Sequence, residues 1–179
     1  MAEDKPGEAG GPAVNREADP APDLAPDLAS DPALQARRLM RGAASATLAT
    51  VGEGGQPFAS LVTPAVAPDG AVLLFLSALS EHTRQLRRDG RCAVLFQGAA
   101  DGPNPQTTPR VSVTGVAEPV DDPELKAVWL ARHPYAEPYA DFADFSLWRV
   151  ESGGALLVLG FGRAHRLRAA ALRPEAGEA

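Results

Sequence analysis

The sequence predicts a mainly β (α+β) fold: an antiparallel barrel of six or seven strands with three inserted helices. Short apolar and β-branched runs recur between turns rich in glycine and proline, as strands of a barrel do. Helical patterns occur at only three places, one of them ahead of the first strand. The regular βα alternation that a parallel sheet requires is missing, which favours a barrel whose ligands sit at a mouth or a subunit interface.

The elements follow in order. Residues 1–30 are rich in Pro, Gly, Ala and acids, lack aromatic residues and hold no sustained periodicity, so they are expected to be a disordered tail. The repeat "PDLAPDLA" within them reads as low-complexity drift. Asp31 as N-cap and Pro32 at the first helical position open the first helix, "ALQARRLMRGA". "ASATLATV" (44–51) and "PFASLVTPAV" (57–66) form a hairpin across "GEGGQ", and "AVLLFLS" (71–77) follows the turn "APDG". A second helix starts within "LSALSEHTRQL", before the strand "RCAVLFQ" (91–97). The loop 98–109 leads to the alternating strand "RVSVTGVAEPV" (110–120). Asp122 caps a third helix with Pro123 at its start and a break at Pro134. Residues 144–164 supply two last strands, with Ser152-Gly153-Gly154 read as the turn between them, and 169–179 are expected to be a flexible tail.

Charge and cysteine content narrow the function. Residues 1–30 hold seven acids against Lys5 and Arg16, a net -5, so the remaining chain carries only -1 of the formal -6. A near-neutral body gives no electrostatic footprint for nucleic acid. Cys92 is the single cysteine, which excludes an internal disulfide and a thiolate metal cluster, and its apolar run suggests a buried, inert thiol. No apolar run approaches the roughly 18 residues of a membrane span, and no signal-peptide pattern is visible, so a soluble cytoplasmic protein without membrane contact is expected.

"LSALSEHTRQL" (76–86) supports two readings. Ser80 as N-cap and Glu81 in the first turn describe a well-capped helix start. The same elbow collects hydroxyls, a guanidinium, His82 and the free N–H groups of a helix N-terminus, which is what holding a phosphate dianion requires. One helix start can serve both.

These residues lie within a wider resemblance. "SATLATVGEGGQPFASLVTPAV…LSALSEHTRQLRRDGRCAVLF", "TPRVSVTGVAEPV", "ARHPYAEPYADFADFSLWRVES" and "GFGRA" resemble the pyridoxamine 5'-phosphate oxidase-like flavoproteins, and within them the HugZ-type haem-utilisation branch, over residues 33–168. The resemblance implies a homodimeric split barrel that binds FMN. It places Ala59, Ser60, Leu61 and Val62 along the isoalloxazine and ribityl chain, Leu76 and Ser77 on the next flavin strand, and His82, Thr83 and Arg84 at the phosphate. Arg110 occupies a position from which the oxidases contact the flavin with a Gln. Phe145, Trp148 and Arg149, with "GFGRA", would close the pocket from the partner subunit.

Two departures qualify the implied activity. Ala59 and Pro64 stand where true pyridoxamine phosphate oxidases carry Arg and Lys, and their C-terminal Trp and Arg-Leu-His substrate motif has no match, so vitamin B6 oxidation is not expected. The fuller HugZ-type proteins continue into a C-terminal segment that helps bind haem through a histidine; only His165 lies in that region here, so haem degradation is not expected. With His82, His133 and His165 the only histidines, and none at ligand spacing, no metal site is expected. His133 reads as a helix terminator, Trp129 as core, and "GFGRA" alone as a glycine-kinked strand. No nucleophile triad or acid–base carboxylate pair is visible, and no catalytic residue is assigned. The expectation is an FMN-dependent oxidoreductase acting on a small molecule, with a donor such as NAD(P)H. The alternatives are a haem- or flavin-binding protein without turnover, and a flavin-free interaction module.

Overall fold

The computed structural model describes residues 31–100 and 102–175. The tail expected over 1–30 lies outside the described residues. Helix α1 (Pro32–Gly42) begins where the sequence places it, with the Asp31 carboxylate accepting from the Ala33 N–H and Pro32 at the first position. Its Ala36 and Met40 are buried and plug the barrel. Eight strands follow: β1 (Ala46–Val51), β2 (Pro57–Val62), β3 (Pro64–Val66), β4 (Val72–Ser77), β5 (Arg91–Gln97), β6 (Arg110–Val120), β7 (Phe145–Val158) and β8 (Ala164–Arg168). Helix α2 (Glu81–Arg88) joins β4 to β5, and α3 (Pro123–Arg132) follows β6.

All the pairings are antiparallel, in the order β2-β1-β5-β6-β7-β4-β3, with β8 on β7. The two ends of that order, β2 and β3, are consecutive in the chain and separated only by Thr63. The sheet must therefore curl until its edges meet there, which gives a split barrel. The single strand expected over 57–66 is two for the same reason: its first part pairs with β1 and its second with β4.

The Ser152-Gly153-Gly154 segment corrects the sequence reading, since it is no turn but the middle of a 14-residue strand. The register slips there: Thr114 faces Gly154, whereas Gly115 faces Ser152, leaving Gly153 as the extra residue of a bulge. Before the bulge β7 pairs with β4, and after it with β8. The extra residue also flips the inward parity, from Trp148 and Val150 to Ala155 and Leu157. The turn to β8 lies instead at Gly160–Arg163, where Gly160 and Gly162 take positive φ (130° and 73°) and Phe161 is 95% exposed.

Two cores result. Leu48, Leu74, Val94, Phe96, Val111, Val113, Trp148 and Leu157 fill the barrel. Outside it, α3 packs Trp129 against Leu73, Phe75 and Leu147 on the opposite face of β4 and β7. His133 caps the C-terminus of α3, the role its sequence position suggests. The tail expected from 169 is docked over its described part: Ala169–Leu172 forms a 3-10 turn, Leu172 is buried in the barrel core, and Arg37 donates to the Ala171 carbonyl at 2.7 Å. An apolar residue close after the last strand has an open barrel end to fill, which composition alone does not reveal. No described helix is long and apolar enough to cross a membrane.

Glycine positions test this packing. A Cβ on Gly115 would sit 2.2 Å from the Glu151 carbonyl oxygen, whereas one on Gly42, at the end of α1, meets nothing within 4 Å. In urea unfolding, Gly115→Ala is expected to lose at least about 2 kcal/mol through overpacking against backbone, and Gly42→Ala to gain about 0.5 kcal/mol.

Candidate functional site

The candidate site grows from the elbow between β4 and α2. Ser77 ends β4 with its hydroxyl donating to Asp144 Oδ2 at 2.6 Å and accepting from the Leu79 N–H at 3.1 Å. The Asp144 carbonyl accepts from the Ala78 N–H, so Asp144 buckles the elbow twice. Sequence reasoning did not single out Asp144. Its signal was there, a carboxylate just before the strand that pairs with β4, but register is needed to see whom it faces.

The next turn starts α2. Ser80 occupies the N-cap position with extended backbone, yet its hydroxyl makes no cap hydrogen bond. Asp31 and Asp122 do cap the other two helices, so the leading N–H groups of α2 are the ones left without a side-chain acceptor. Thr83, fully buried in the first turn, has a hydroxyl with no partner. Such an atom costs about 1–3 kcal/mol unless something satisfies it. Among the described residues, exposed Arg84 is bridged to Glu81 at 3.2 Å, a surface pair worth about 0.5 kcal/mol that a stronger anion can displace. The rest of α2 is fixed from below: Thr50 donates to Gln85, and Gln85 donates to Glu81 at 2.9 Å.

His82 joins this turn to β2, with Nδ1 3.0 Å from the Ser60 hydroxyl. The ring is half-buried, and burial holds its pKa below the ordinary imidazole value. Ser60, His82, Thr83 and Arg84, placed together by the sequence reading, thus lie on one helix start and its neighbouring strand. Of the other residues on β2, Ala59 and Leu61 face outward, Leu61 at 74% exposure, while Val62 is buried in the barrel. Leu76 is buried in the barrel as well.

The remaining assignments separate. Arg110 faces Val158 at one end of β7, whereas Ser77 of the elbow faces Phe145 at the other end of that 14-residue strand. Its guanidinium is bound to the Gln106 and Thr108 carbonyls of its own loop. Within one chain it does not reach the elbow. Phe145, Trp148 and Arg149 do not form a common wall, because alternation along β7 puts Trp148 on the other face from its two companions. Trp148 is 1% exposed inside the barrel, which removes it from any partner-facing surface. Phe145 stacks on Phe75 at 5.3 Å in the outer core. Arg149 is held by Asp69 at 2.6 Å and by Glu151, and its hydrogen bond keeps the Asp69 carboxyl below the usual range.

Other chemistry is sparse. Burial pushes the Cys92 thiol up to about 11, so it is protonated and inert at neutral pH. Among the described residues, no three His, Cys, Asp or Glu side chains group as metal ligands.

The antiparallel split barrel defines the fold class, and the comparisons give the family. Residues 34–158 match the pyridoxamine 5'-phosphate oxidase family, and the chain belongs to it. HOZ, a chloroplast haem oxygenase of Arabidopsis thaliana, is 33% identical over 143 residues, 73% of this chain and 43% of that protein. The chain thus spans less than half the length of this curated relative. A haem-binding protein of Mycobacterium smegmatis superposes with a TM-score of 0.74 at 32% identity, over 79% of this chain and 60% of that one. ChuZ of Campylobacter jejuni shares the fold, with a TM-score of 0.65 at 16% identity over 73% of this chain and 56% of its own. The first two of these proteins carry haem in their names.

Two outcomes check the site's chemistry. Thr83→Val keeps the side chain's shape and removes the unsatisfied hydroxyl, so the ligand-free protein is expected to gain about 1 kcal/mol in urea unfolding. His82, depressed by burial, binds its proton more readily in the unfolded chain. Its contribution to stability is complete above about pH 6.5 and is lost as the pH falls through the lower folded value. Unfolding midpoints between pH 7.5 and 5 should therefore drop with acidification, and His82→Asn should flatten that slope.

Proposed function

We propose that the chain is an FMN-binding flavoprotein and a flavin-dependent oxidoreductase acting on a small molecule, with a donor such as NAD(P)H. The observation that carries this reading is the unfinished start of α2: N–H groups without a side-chain cap, the orphaned Thr83 hydroxyl, and Arg84 in a weak pair. A phosphate dianion would complete the N–H groups and Arg84 directly, and the Thr83 hydroxyl once the first turn of α2 opens around the bound group. Thr83, Arg84 and the first N–H groups of α2 would hold the phosphate, His82 would hold Ser60 and its strand beside it, and β2 would supply the backbone along the ring. Bound FMN supplies the hydride and electron transfer. The protein's part is to bind, orient and exclude water, which is consistent with a site that shows no acid–base carboxylate pair.

A homodimer fits the uncharged outer face of β2 and β1, where exposed Ala59 and Leu61 lie in register with half-buried Ala49 and Thr47. Arg110, far from the elbow of its own chain, would act there only across such an interface. A buried, protonated Cys92 suits a reducing cytoplasm. The second reading is a haem- or flavin-binding protein without turnover, favoured by the relative whose name records haem binding. His82 and the half-buried His165 are the two histidines not enclosed in the protein interior, as His133 is.

Absorbance of the purified protein separates the readings. Flavin bands bleached by NADPH and restored by air support the enzyme, whereas a haem Soret band without flavin contradicts it. Replacing Thr83 and Arg84 together by Ala is expected to abolish FMN retention with the circular dichroism spectrum unchanged. Full retention would refute the phosphate assignment.

A further inference from the structure

We infer that Trp129 and His133 of α3 are positioning residues for the cofactor strand, acting through the point where the barrel closes. Trp129 Nε1–H donates to the Thr63 carbonyl at 2.9 Å. His133 Nε2 lies 2.8 Å from the Pro64 carbonyl, and because a carbonyl only accepts, that nitrogen carries the hydrogen. One helical turn apart, the two rings pack at 4.6 Å and are 1% and 3% exposed. Two buried donors therefore grip two successive carbonyls at Thr63 and Pro64, where the edge strands β2 and β3 meet. Ser60, the contact of His82, is three residues upstream of the first gripped carbonyl.

The grip has a firm base. Trp129 packs on Phe75 at 5.1 Å, and Arg132 donates to the Gly42 carbonyl at the end of α1. The last turn of α3 thus ties the barrel plug, the outer core and the seam together. A buried donor lost here leaves a carbonyl unsatisfied at Thr63, which joins β2 to β3, or at Pro64, the first residue of β3, and β2 is an edge strand with a ladder on one side only. The inference rests on FMN lying along β2, as proposed above, and it concerns where β2 is held and not what touches the cofactor.

The test measures FMN affinity by fluorescence quenching and hydrogen exchange of residues 58–64 in the cofactor-free protein. Trp129→Phe and His133→Leu should each weaken FMN binding at least tenfold and accelerate exchange in that segment. His133→Gln, whose amide N–H replaces the lost donor, should recover most of both. Leu157→Ala, a cavity in the barrel core away from the seam, should lower the melting temperature at least as much yet leave affinity within twofold. Affinity unchanged in His133→Leu, an equal loss in Leu157→Ala, or no recovery in His133→Gln would overturn the positioning role. Should the wild type bind no FMN, the flavin reading fails while exchange still decides the grip: unaltered exchange at 58–64 in His133→Leu overturns it, and acceleration reversed by Gln supports it.

Discussion

One covalent constraint organises the chain: β2 and β3, at opposite edges of an eight-stranded sheet, are joined through Thr63 alone. A sheet whose edges are tied at one point has to curl. It then needs an inside that apolar side chains fill, a plug at the open end, and something that holds the tie. Ala36 and Met40 of α1 with Leu172 supply the plug, and Trp129 and His133 supply the hold. The bulge at Gly153 serves the same geometry, because it lets β7 serve β4 along one half and β8 along the other without exposing its core side chains.

The elbow before α2 differs in kind from the other helix starts. Where Asp31 and Asp122 satisfy their own helices, Ser80 does not, and Thr83 is buried with an idle hydroxyl. Folded proteins pair nearly all of their buried polar groups, so an unpaired one calls for a specific explanation. Around that gap the chain is unusually well tied, by Asp144 on one side and by Thr50 and Gln85 on the other. A gap inside a rigid frame is how binding sites are pre-organised.

Much of this was legible in the residues, and the failures share a cause. Helix starts were clear because Asp-Pro pairs act locally, as at Asp31-Pro32 and Asp122-Pro123. The grouping of His82, Thr83 and Arg84 was clear because three consecutive residues must share a helix start. Ser152-Gly153-Gly154 was misread as a turn because glycine marks bulges and turns alike, and only the partner strand tells them apart. Trp148 was placed on a surface because alternation gives two faces without saying which is inside. The partner of Asp144 and the docking of Leu172 depend on contacts between residues distant in sequence, which only the strand register supplies.

The central claim is that the start of α2 binds a phosphate, and the most direct measurement compares FMN with riboflavin, which shares the ring and lacks the phosphate. In titrations of the cofactor-free protein, the account predicts that FMN binds at least a hundredfold more tightly, about 2.7 kcal/mol, and that the difference collapses when Thr83 and Arg84 are both Ala. Equal affinity for the two flavins, or a preference untouched by that double substitution, would contradict it.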